Sequence, residues 1–568
     1  MHGRRGPRVA GAVAAAAAVL LLYASCDEQP VYQNDVRYCF FQVQFPYDGQ
    51  PILLTGDTGR LIPEVQNGAG LTSPETATEW SSSNPSVAQV DATGLVTGLR
   101  PGYADISADG CFGFSVEVVA RPATLEIEPD TVRMLPGNRA LIQYVFRDAG
   151  GNLLDHWFLP TLVSAVSGNA AVVSVVPDPG YPSVEALAEG TATVRATLGQ
   201  AGATVAVLVA AVTLGAPEAG TSHTCAISSD SLGYCWGSTL WFNANQDIPG
   251  RLWGPAPRPL PGSLRFTTLE SGASHACGLT AGGALYCVGD NQLGQLGVEG
   301  YPTEPARVPI PVAVAAVSAG PSHTCALTVD VRVFCWGGNA AGELGSSTGD
   351  DCLYTFPVKG VPVSVSCSRA PLEAGSGLAF ASVRAGPGLT CGRTTIGATY
   401  CWGLHYGQAP VLVDDTLGLD SLTLGGQFYP VTTSDTVALA CALDPAGAAW
   451  CWGKSRYGLG DGSTTESWSP VPVAGGLTFR ALSAGFGVCG VTVGGEIYCW
   501  GGLPGFAEGT TPVKVPGTLT FTSVAAGWAH GCGLATDGRV YCWGSNLASQ
   551  LGVSGPDRAS PVRVLGQR

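Results

Sequence analysis

Charged residues are scarce in this chain of 568 residues. They make up 12% of it, about half of the usual share of about 25%. Lysine is the scarcest of them and occurs only as Lys359, Lys454 and Lys514. With 28 Lys and Arg against 43 Asp and Glu, the net charge is −15. Because phosphate binding needs a basic stripe, we expect no nucleic-acid partner.

Long apolar runs are also missing beyond the N-terminus, so the sequence predicts no membrane-spanning helix there. Glycine is abundant instead, with 79 residues, and 40 prolines accompany it. Both residues destabilise helix interiors, which excludes a helical bundle. Hydrophobic residues reach 45%, enough for several cores, which excludes a disordered chain. The composition predicts an all-β fold of many short strands and turns.

The N-terminus has the features of an export signal. Basic residues precede the apolar run Val9–Tyr23, which is too short for an ordinary membrane span and suits a signal peptide. We therefore predict a signal peptide at residues 1–25 and an exported protein, either a cell-envelope lipoprotein or a secreted one. The tail LLYASC resembles the lipobox of bacterial lipoproteins, which implies a lipid anchor on Cys26 as the sole membrane contact. The alternative is ordinary cleavage near Ala24, which leaves Cys26 as a free thiol.

Residues 26–119 show short alternating strands separated by turns, the pattern of a β-sandwich. The stretch WSSSNPSVAQVDATGLVTG, which begins at Trp80, resembles the bacterial immunoglobulin-like group 2 domain. Residues 120–211 resemble a second, divergent copy without the WSSS motif. Cys39 and Cys111 are the two cysteines of the first domain after Cys26, and we predict a disulfide between them. The resemblance implies spacer or adhesive domains.

From about residue 212 onward, one hairpin recurs seven times with a mean period of about 51 residues. In each copy a second cysteine follows the first by ten positions, as in HGCGLATDGRVYCWG at the last repeat. A three-residue loop centred on Asp537 places Cys532 opposite Cys542, whereas a two-residue turn pairs Cys542 with Gly533 and needs a bulge. The predicted disulfides are Cys225–Cys235, Cys277–Cys287, Cys325–Cys335, Cys391–Cys401, Cys441–Cys451, Cys489–Cys499 and Cys532–Cys542.

These units resemble the repeat of the regulator of chromosome condensation family, most closely in YCVGDNQLGQLG, FCWGGNAAGELG and YCWGSNLASQLG. The resemblance implies a seven-bladed β-propeller over residues 212–568, with short, protected strand edges. In this family, strands from both ends of the domain commonly close the ring, and Pro561–Leu565 is the C-terminal candidate. Two repeats carry insertions, Ser238–Pro257 and Ser346–Phe380. The second insertion contains Cys352 and Cys367, which we predict to be bonded.

Four histidines stand two residues before the first cysteine of their repeats: His223, His275, His323 and His530. A metal site is one interpretation, but equivalent positions on a ring are spread around it. We therefore predict that they bond the same backbone turn in each blade. The Trp of each Cys-Trp-Gly is predicted to pack between blades. We expect no catalytic residue, no metal ligand and no cofactor.

Loops break the repetition, and loops commonly carry function. Trp241, Phe242, Trp253 and Tyr301, together with the insertion stapled by Cys352 and Cys367, form the candidate binding rim. The sequence thus favours a non-enzymatic binding or adhesion protein that presents the propeller to a protein or glycan. One alternative is a secreted enzyme inhibitor, because a bacterial β-lactamase inhibitory protein has a propeller of this family. Another is guanine nucleotide exchange, the founding member's activity, which needs a small GTPase that an exported chain does not meet.

Overall fold

A computed structural model describes residues 38–47, 50–66, 72–74, 79–108, 111–156, 158–176, 183–237, 252–253, 255–348, 350–355, 362–427, 436–502 and 509–568. Within these ranges the regular structure is β-strand, apart from one short 3-10 helix at Leu159–Leu162. The predicted all-β fold is therefore confirmed. The same ranges contain no helix that is both long and apolar enough to cross a membrane. The predicted signal peptide and Cys26 lie outside them.

The chain divides into two compact units. One comprises residues 1–126, 144–164 and 197–203, and the other comprises residues 127–143, 165–196 and 204–568. The first predicted sandwich belongs to the first unit. The boundary runs through the segment in which the second sandwich is predicted, so that segment contributes strands to both units.

The first sandwich consists of two sheets that share one core. One sheet has the order Tyr38–Gln44, Thr58–Gln66, Leu95–Gly98 and Ala88–Val90, with Thr72–Pro74 beside Thr58–Gln66. The other has the order Ile52–Leu54, Cys111–Val119, Gly102–Ala108 and Trp80–Ser82. Alternate residues point inward, as Ala104, Ile106 and Ala108 do, and they pack against Leu61 and Val96 of the facing sheet. The strands that carry Cys39 and Cys111 are present, but their side chains lie outside the described residues, so this disulfide stays a prediction.

Three further sheets follow. The first consists of Thr124–Glu128, Gln143–Arg147 and Leu153–Leu154, and the second of Thr131–Met134, Ala201–Val209, Gly190–Leu198 and Ser164–Ser167. The third consists of Val173–Val176, Ser183–Ala186, Arg139–Leu141 and Leu252–Trp253. Its last strand comes from the insertion of the first repeat, where Trp253 pairs with Arg139.

Seven antiparallel sheets follow in the described part of residues 214–563, and we call them the first to the seventh blade. The first blade contains Leu214–Ala219, His223–Ser228, Gly233–Gly237 and Arg258–Pro259. The second contains Thr268–Ser271, His275–Leu279, Leu285–Gly289 and Ala306–Arg307. The third contains Val314–Ala319, His323–Thr328, Val333–Gly338, Pro362–Ala374 and Asp350–Thr355. The fourth contains Phe380–Ala385, Leu389–Thr394, Thr399–Gly403 and Gly407–Asp414. The fifth contains Asp420–Gln427, Val437–Leu443, Ala449–Gly453 and Ser467–Pro472. The sixth contains Phe479–Ala484, Val488–Thr492, Ile497–Trp500 and Val513–Lys514. The seventh contains Phe521–Ala526, His530–Ala535, Val540–Gly544 and Arg558–Arg563.

The recurring hairpin has the register that the cysteine spacing predicts. In the seventh blade Cys532 lies opposite Cys542, and Ala535 donates its N–H to Arg539, which encloses the three-residue loop around Asp537. The described residues contain eight disulfides, each between a pair that the sequence predicts: Cys225–Cys235, Cys277–Cys287, Cys325–Cys335, Cys352–Cys367, Cys391–Cys401, Cys441–Cys451, Cys489–Cys499 and Cys532–Cys542.

The blades form a closed ring, because a hydrophobic core lies between every pair of neighbours, including the seventh and the first. At the closing interface, Trp236 of the first blade packs with Leu551 and Val564, and Leu135 joins the same core. The ring is thus a seven-bladed β-propeller.

The ring does not close as the family resemblance implies, since among the described residues no blade combines strands from both ends of the domain. Pro561 lies in the outermost strand of the seventh blade, and every other strand of that blade comes from the residues just before it. The two ends of the domain meet through an isolated parallel bridge between Val212 and Gln567. Val212 donates its N–H to Gly566 at 2.9 Å and accepts one from Arg568 at 3.0 Å. The ring therefore closes through packing and a few backbone hydrogen bonds, without strand exchange.

Candidate functional site

Three of the four recurring histidines join neighbouring blades. The imidazole Nε2 lies within hydrogen-bond distance of a threonine hydroxyl of the next blade in three pairs: His275–Thr324 at 2.9 Å, His323–Thr390 at 2.8 Å and His530–Thr224 at 2.8 Å. The expectation that these rings bond a turn of their own blade is therefore wrong. In the second blade, Ala276 occupies the threonine position, so it has no hydroxyl to offer His223.

All four imidazoles are buried, and burial lowers their pKa values. The pKa of His223 falls to about 4, and those of His275, His323 and His530 fall to about 3. The rings are therefore neutral at physiological pH. Among the described residues, no three His, Cys, Asp or Glu side chains are arranged to hold a metal ion.

The tryptophans of the Cys-Trp-Gly motif take part in the same interface. Trp336 and Trp402 are fully buried and donate their indole N–H to the backbone carbonyls of Gln295 and Glu343, both at 3.0 Å. The same two carbonyls accept the threonine hydroxyls of the next blade. Where the third blade meets the second and the fourth, the His, Thr and Trp residues thus form one bonding pattern with the Gln-Leu-Gly or Glu-Leu-Gly segment, which accounts for them without a ligand.

A ring of glycines surrounds one end of the central channel. Gly425 lies near the end of the innermost strand of its blade, and the other six directly follow that strand in theirs: Gly220, Gly272, Gly320, Gly386, Gly485 and Gly527. These positions lie so close to neighbouring atoms that a side chain does not fit there. A Cβ atom on Gly485 would lie 2.0 Å from the carbonyl oxygen of Gly527, and one on Gly220 would lie 2.3 Å from that of Gly272. These glycines line a cavity of about 90 Å³, which we call the channel mouth.

The channel mouth opens on the face that also bears the long loops. In the first blade His223 pairs with Gly237, so the turn before His223 and the loop after Gly237 leave the same edge of the sheet. The other blades have the same register. We call this side of the propeller the loop face.

Aromatic residues break the symmetry of the channel mouth. The residue after each ring glycine is small or is proline in five blades: Thr221, Ala273, Pro321, Pro387 and Gly426. In the sixth and seventh blades it is Phe486 and Trp528. Their ring centroids are 6.1 Å apart in an edge-to-face arrangement, and Tyr457 lies edge-to-face with Phe486 at 6.0 Å. Trp528 is 41% exposed. We call these three residues the aromatic cluster.

Charge also breaks the symmetry, one layer below. The residue that pairs with the first cysteine on the innermost strand differs from blade to blade: Glu218, Glu270, Ser318, Arg384, Thr423, Ser483 and Ala525. Burial raises the pKa values of both glutamates. Proximity to Glu270 raises that of Glu218 further, while Arg384 lowers both. We call Glu218 and Glu270 the channel carboxylates.

The rim predicted from the sequence is only partly brought together. Tyr301 is 56% exposed and lies beside Glu299, which approaches Arg369 of the stapled insertion at 3.9 Å. The disulfide of that insertion packs on Leu293 of the second blade. Trp253 lies in a strand that pairs with Arg139, and its side chain is outside the described residues. Trp241 and Phe242 lie outside them altogether.

Sequence reasoning missed the aromatic cluster and the channel carboxylates. A signal for the cluster is present just before each repeat, where the residue after the glycine is aromatic only in AGFG and AGWA. This signal indicates a cluster only when the seven glycines are known to surround one opening.

Two families of sequence match parts of the chain. The regulator of chromosome condensation (RCC1) repeat matches residues 266–295, 314–343 and 521–550, and a second description of that repeat matches residues 282–327. The bacterial Ig-like domain (group 2) matches residues 65–109. RCC1 repeats and an immunoglobulin-like domain are therefore present. No curated protein matches the chain.

Solved structures resemble the propeller at low identity. Human WBSCR16 is 20% identical over 58% of this chain and 93% of its own, with a TM-score of 0.47. Prp20p from Saccharomyces cerevisiae is 18% identical over 60% of this chain and 87% of its own, also with a TM-score of 0.47. The ectodomain of the Physcomitrella patens receptor kinase CR4 is 23% identical over 58% of this chain and 72% of its own, with a TM-score of 0.37.

Proposed function

We propose that this protein is a non-catalytic, exported binding protein whose propeller contacts a protein or glycan through the channel mouth. The observation that carries the proposal is the aromatic cluster. A propeller repeats what it needs for stability, whereas Phe486 and Trp528 replace small residues in two adjacent blades only. Trp528 is exposed beside the buried ring of Phe486, and an exposed aromatic residue held by its neighbours is a typical interface anchor.

Export is supported by the cysteine chemistry. Eight disulfides among the described residues suit an oxidising compartment, and the immunoglobulin-like domain is of a bacterial type. We infer in addition that Cys26 carries a lipid anchor. Mass spectrometry of detergent-extracted protein tests this inference. We expect a mature chain that begins at Cys26 and carries a diacyl modification on it. An unmodified Cys26, or a mature chain that begins at another residue, contradicts the inference.

A non-catalytic role is supported by how the polar residues of the ring are used. The imidazoles of His275, His323 and His530 bond the adjacent blade and are held neutral by burial. A general base needs a pKa near the working pH and access to substrate, and these rings have neither.

The test compares two exposed aromatic residues of the loop face. The full chain, Trp528→Ala and Tyr301→Ala are each screened against a glycan array and against cell-surface proteins. We expect Trp528→Ala to lose the ligands that the native chain captures, and Tyr301→Ala to retain them. Unchanged capture by Trp528→Ala overturns the channel mouth as the binding site, and loss with Tyr301→Ala alone favours the rim predicted from the sequence.

A further inference from the structure

The channel carboxylates belong to the layer directly beneath the channel mouth. At the equivalent position, Ser318 accepts the backbone N–H of Ala385 at 3.0 Å, and Ser483 accepts that of Ala526 at 3.0 Å. Ala385 and Ala526 themselves line the cavity. Glu218 and Glu270 immediately precede two further lining residues, Ala219 and Ser271. The layer therefore lies immediately below the residues that line the cavity.

When ionised, the channel carboxylates carry charge that the protein compensates only in part. Neither Glu218 nor Glu270 receives a hydrogen bond from the described residues, and the other charged residue of the layer is Arg384, one cation for two acids. Ser271 Oγ is buried beside the cavity and also has no partner within the described part of the chain. Unpaired polar groups in a poorly solvated site are costly, so a ligand with positive charge and hydrogen-bond donors stabilises them.

The aromatic cluster lies next to these acids around the ring. The sixth and seventh blades hold Phe486 and Trp528, the first and second hold the carboxylates, and the seventh packs directly on the first. Ala525 occupies the charged layer in the seventh blade, so no long side chain of that layer lies beneath Trp528. Aromatic faces attract lysine and arginine side chains, whose alkyl portions also pack on rings.

We propose that the channel mouth docks a protein partner by receiving one long cationic side chain, a lysine or an arginine, beside the aromatic cluster and above the channel carboxylates. The proposal rests on the proposed function and specifies its ligand. A neutral glycan adds no positive charge to the one that Arg384 supplies for two acids, so the charge of the layer favours a basic protein loop.

The experiment uses cyclic peptides as probes. A phage library of disulfide-cyclised heptapeptides is selected on the full chain, with Trp528→Ala as the counter-selection. The selected peptide is then synthesised with its basic residue and with norleucine or citrulline in its place. We expect basic residues to be enriched at one position, and the neutral peptide to bind about tenfold or more weakly.

Charge variants locate the interaction. The double variant Glu218→Gln with Glu270→Gln is expected to weaken the basic peptide about tenfold and to leave the neutral peptide unchanged. Glu299→Gln is the matched control, because it removes one negative charge from the loop face outside the channel. Cation binding favours ionised carboxylates, so affinity is expected to rise with pH in the native chain and to rise less in the double variant.

Each outcome supports or overturns a distinct statement. Peptides that depend on Trp528 but not on a basic residue, or glycans captured through Trp528, overturn the cationic ligand and leave the proposed function standing. Equal binding of the basic peptide to the double glutamine variant also overturns it. A selection without any peptide that depends on Trp528 overturns both statements. Circular dichroism and thermal unfolding of every variant establish that the fold is intact.

Discussion

His530 of the last blade lies 2.8 Å from Thr224 of the first, Nε2 to Oγ1. The bond that closes the ring is thus the same bond that joins the second blade to the third and the third to the fourth. The closing interface also contains its own hydrophobic core around Trp236 and Leu551. The closing interface therefore has the same His–Thr bond and the same kind of core as two interfaces within the ring.

Removal of the closing hydroxyl should weaken the ring. Thr224→Val keeps the shape of the side chain but leaves buried polar atoms of His530 and the Gln550 carbonyl without that partner. We expect a loss of about 1–3 kcal/mol in the free energy of unfolding. Urea unfolding measures it, with the exposed Thr465→Val as the control. Equal midpoints for Thr224→Val and the native chain contradict the role of this bond.

The glycine ring makes a prediction with an internal control. Gly485→Ala places a Cβ atom 2.0 Å from the carbonyl oxygen of Gly527, so backbone must move and the thermal midpoint should fall by several degrees. Gly282→Ala places its Cβ atom in open space, with no atom within 4 Å, and should be close to neutral. Scanning calorimetry compares the two. Similar midpoints for both variants refute the close approach at the channel mouth.

Glu343 predicts a dependence of stability on pH. The side chain is fully buried, and burial raises its pKa from 4.5 to about 7. Because the folded-state pKa is the higher one, the stability from this group is present below pH 4.5 and is lost as the pH rises through about 7. Gln295 and Gln550 occupy the same motif position in other blades and accept equivalent backbone bonds.

Glu343→Gln should therefore keep the hydrogen bond from Ala341 and remove the ionisation. Between pH 4.5 and about 7 we expect the variant to lose less stability than the native chain, by about 1 kcal/mol per pH unit, and above that range the difference should level off. Urea unfolding at several pH values from about 4.5 to 8 measures the difference, with the exposed Glu299→Gln as the control. Parallel profiles for the native chain and Glu343→Gln rule the prediction out.

The blade disulfides should contribute to stability individually. The double variant Cys532→Ala with Cys542→Ala removes a short covalent loop from the core between the seventh and first blades. We expect it to cost about 2–3 kcal/mol. The double variant Cys352→Ala with Cys367→Ala should mainly increase protease cleavage within the insertion, because that bond lies in a small satellite core. Chemical unfolding and limited proteolysis distinguish these effects, and equal unfolding midpoints contradict them.

The sequence was sufficient for the fold of the repeats because the constraint is local. A ten-residue spacing with a three-residue loop leaves one register for Cys532 and Cys542, and the structure has that register. The partner of His530 could not be found in this way. It is Thr224, more than 300 residues away in sequence, and it becomes a neighbour only through ring closure.

The channel mouth escaped prediction for the same reason. Phe486 and Trp528 occupy one turn each, and nothing local indicates that both turns face a common opening. The aromatic residues of the insertions, such as Tyr301, were conspicuous in sequence because they interrupt the repeat. An aromatic residue in an insertion is visible in the sequence, whereas an aromatic residue that replaces a small one in a repeat is not. Only the ring geometry shows that the second kind lines a cavity.

The way in which the ring closes has a consequence for biogenesis. Every blade is built from consecutive residues, and each blade disulfide joins cysteines only ten residues apart. A chain that crosses a membrane N-terminus first can therefore complete its blades in the order in which they emerge, since local contacts form fastest. No early blade waits for a strand from the C-terminus. The last event of assembly is then the docking of one finished blade against another.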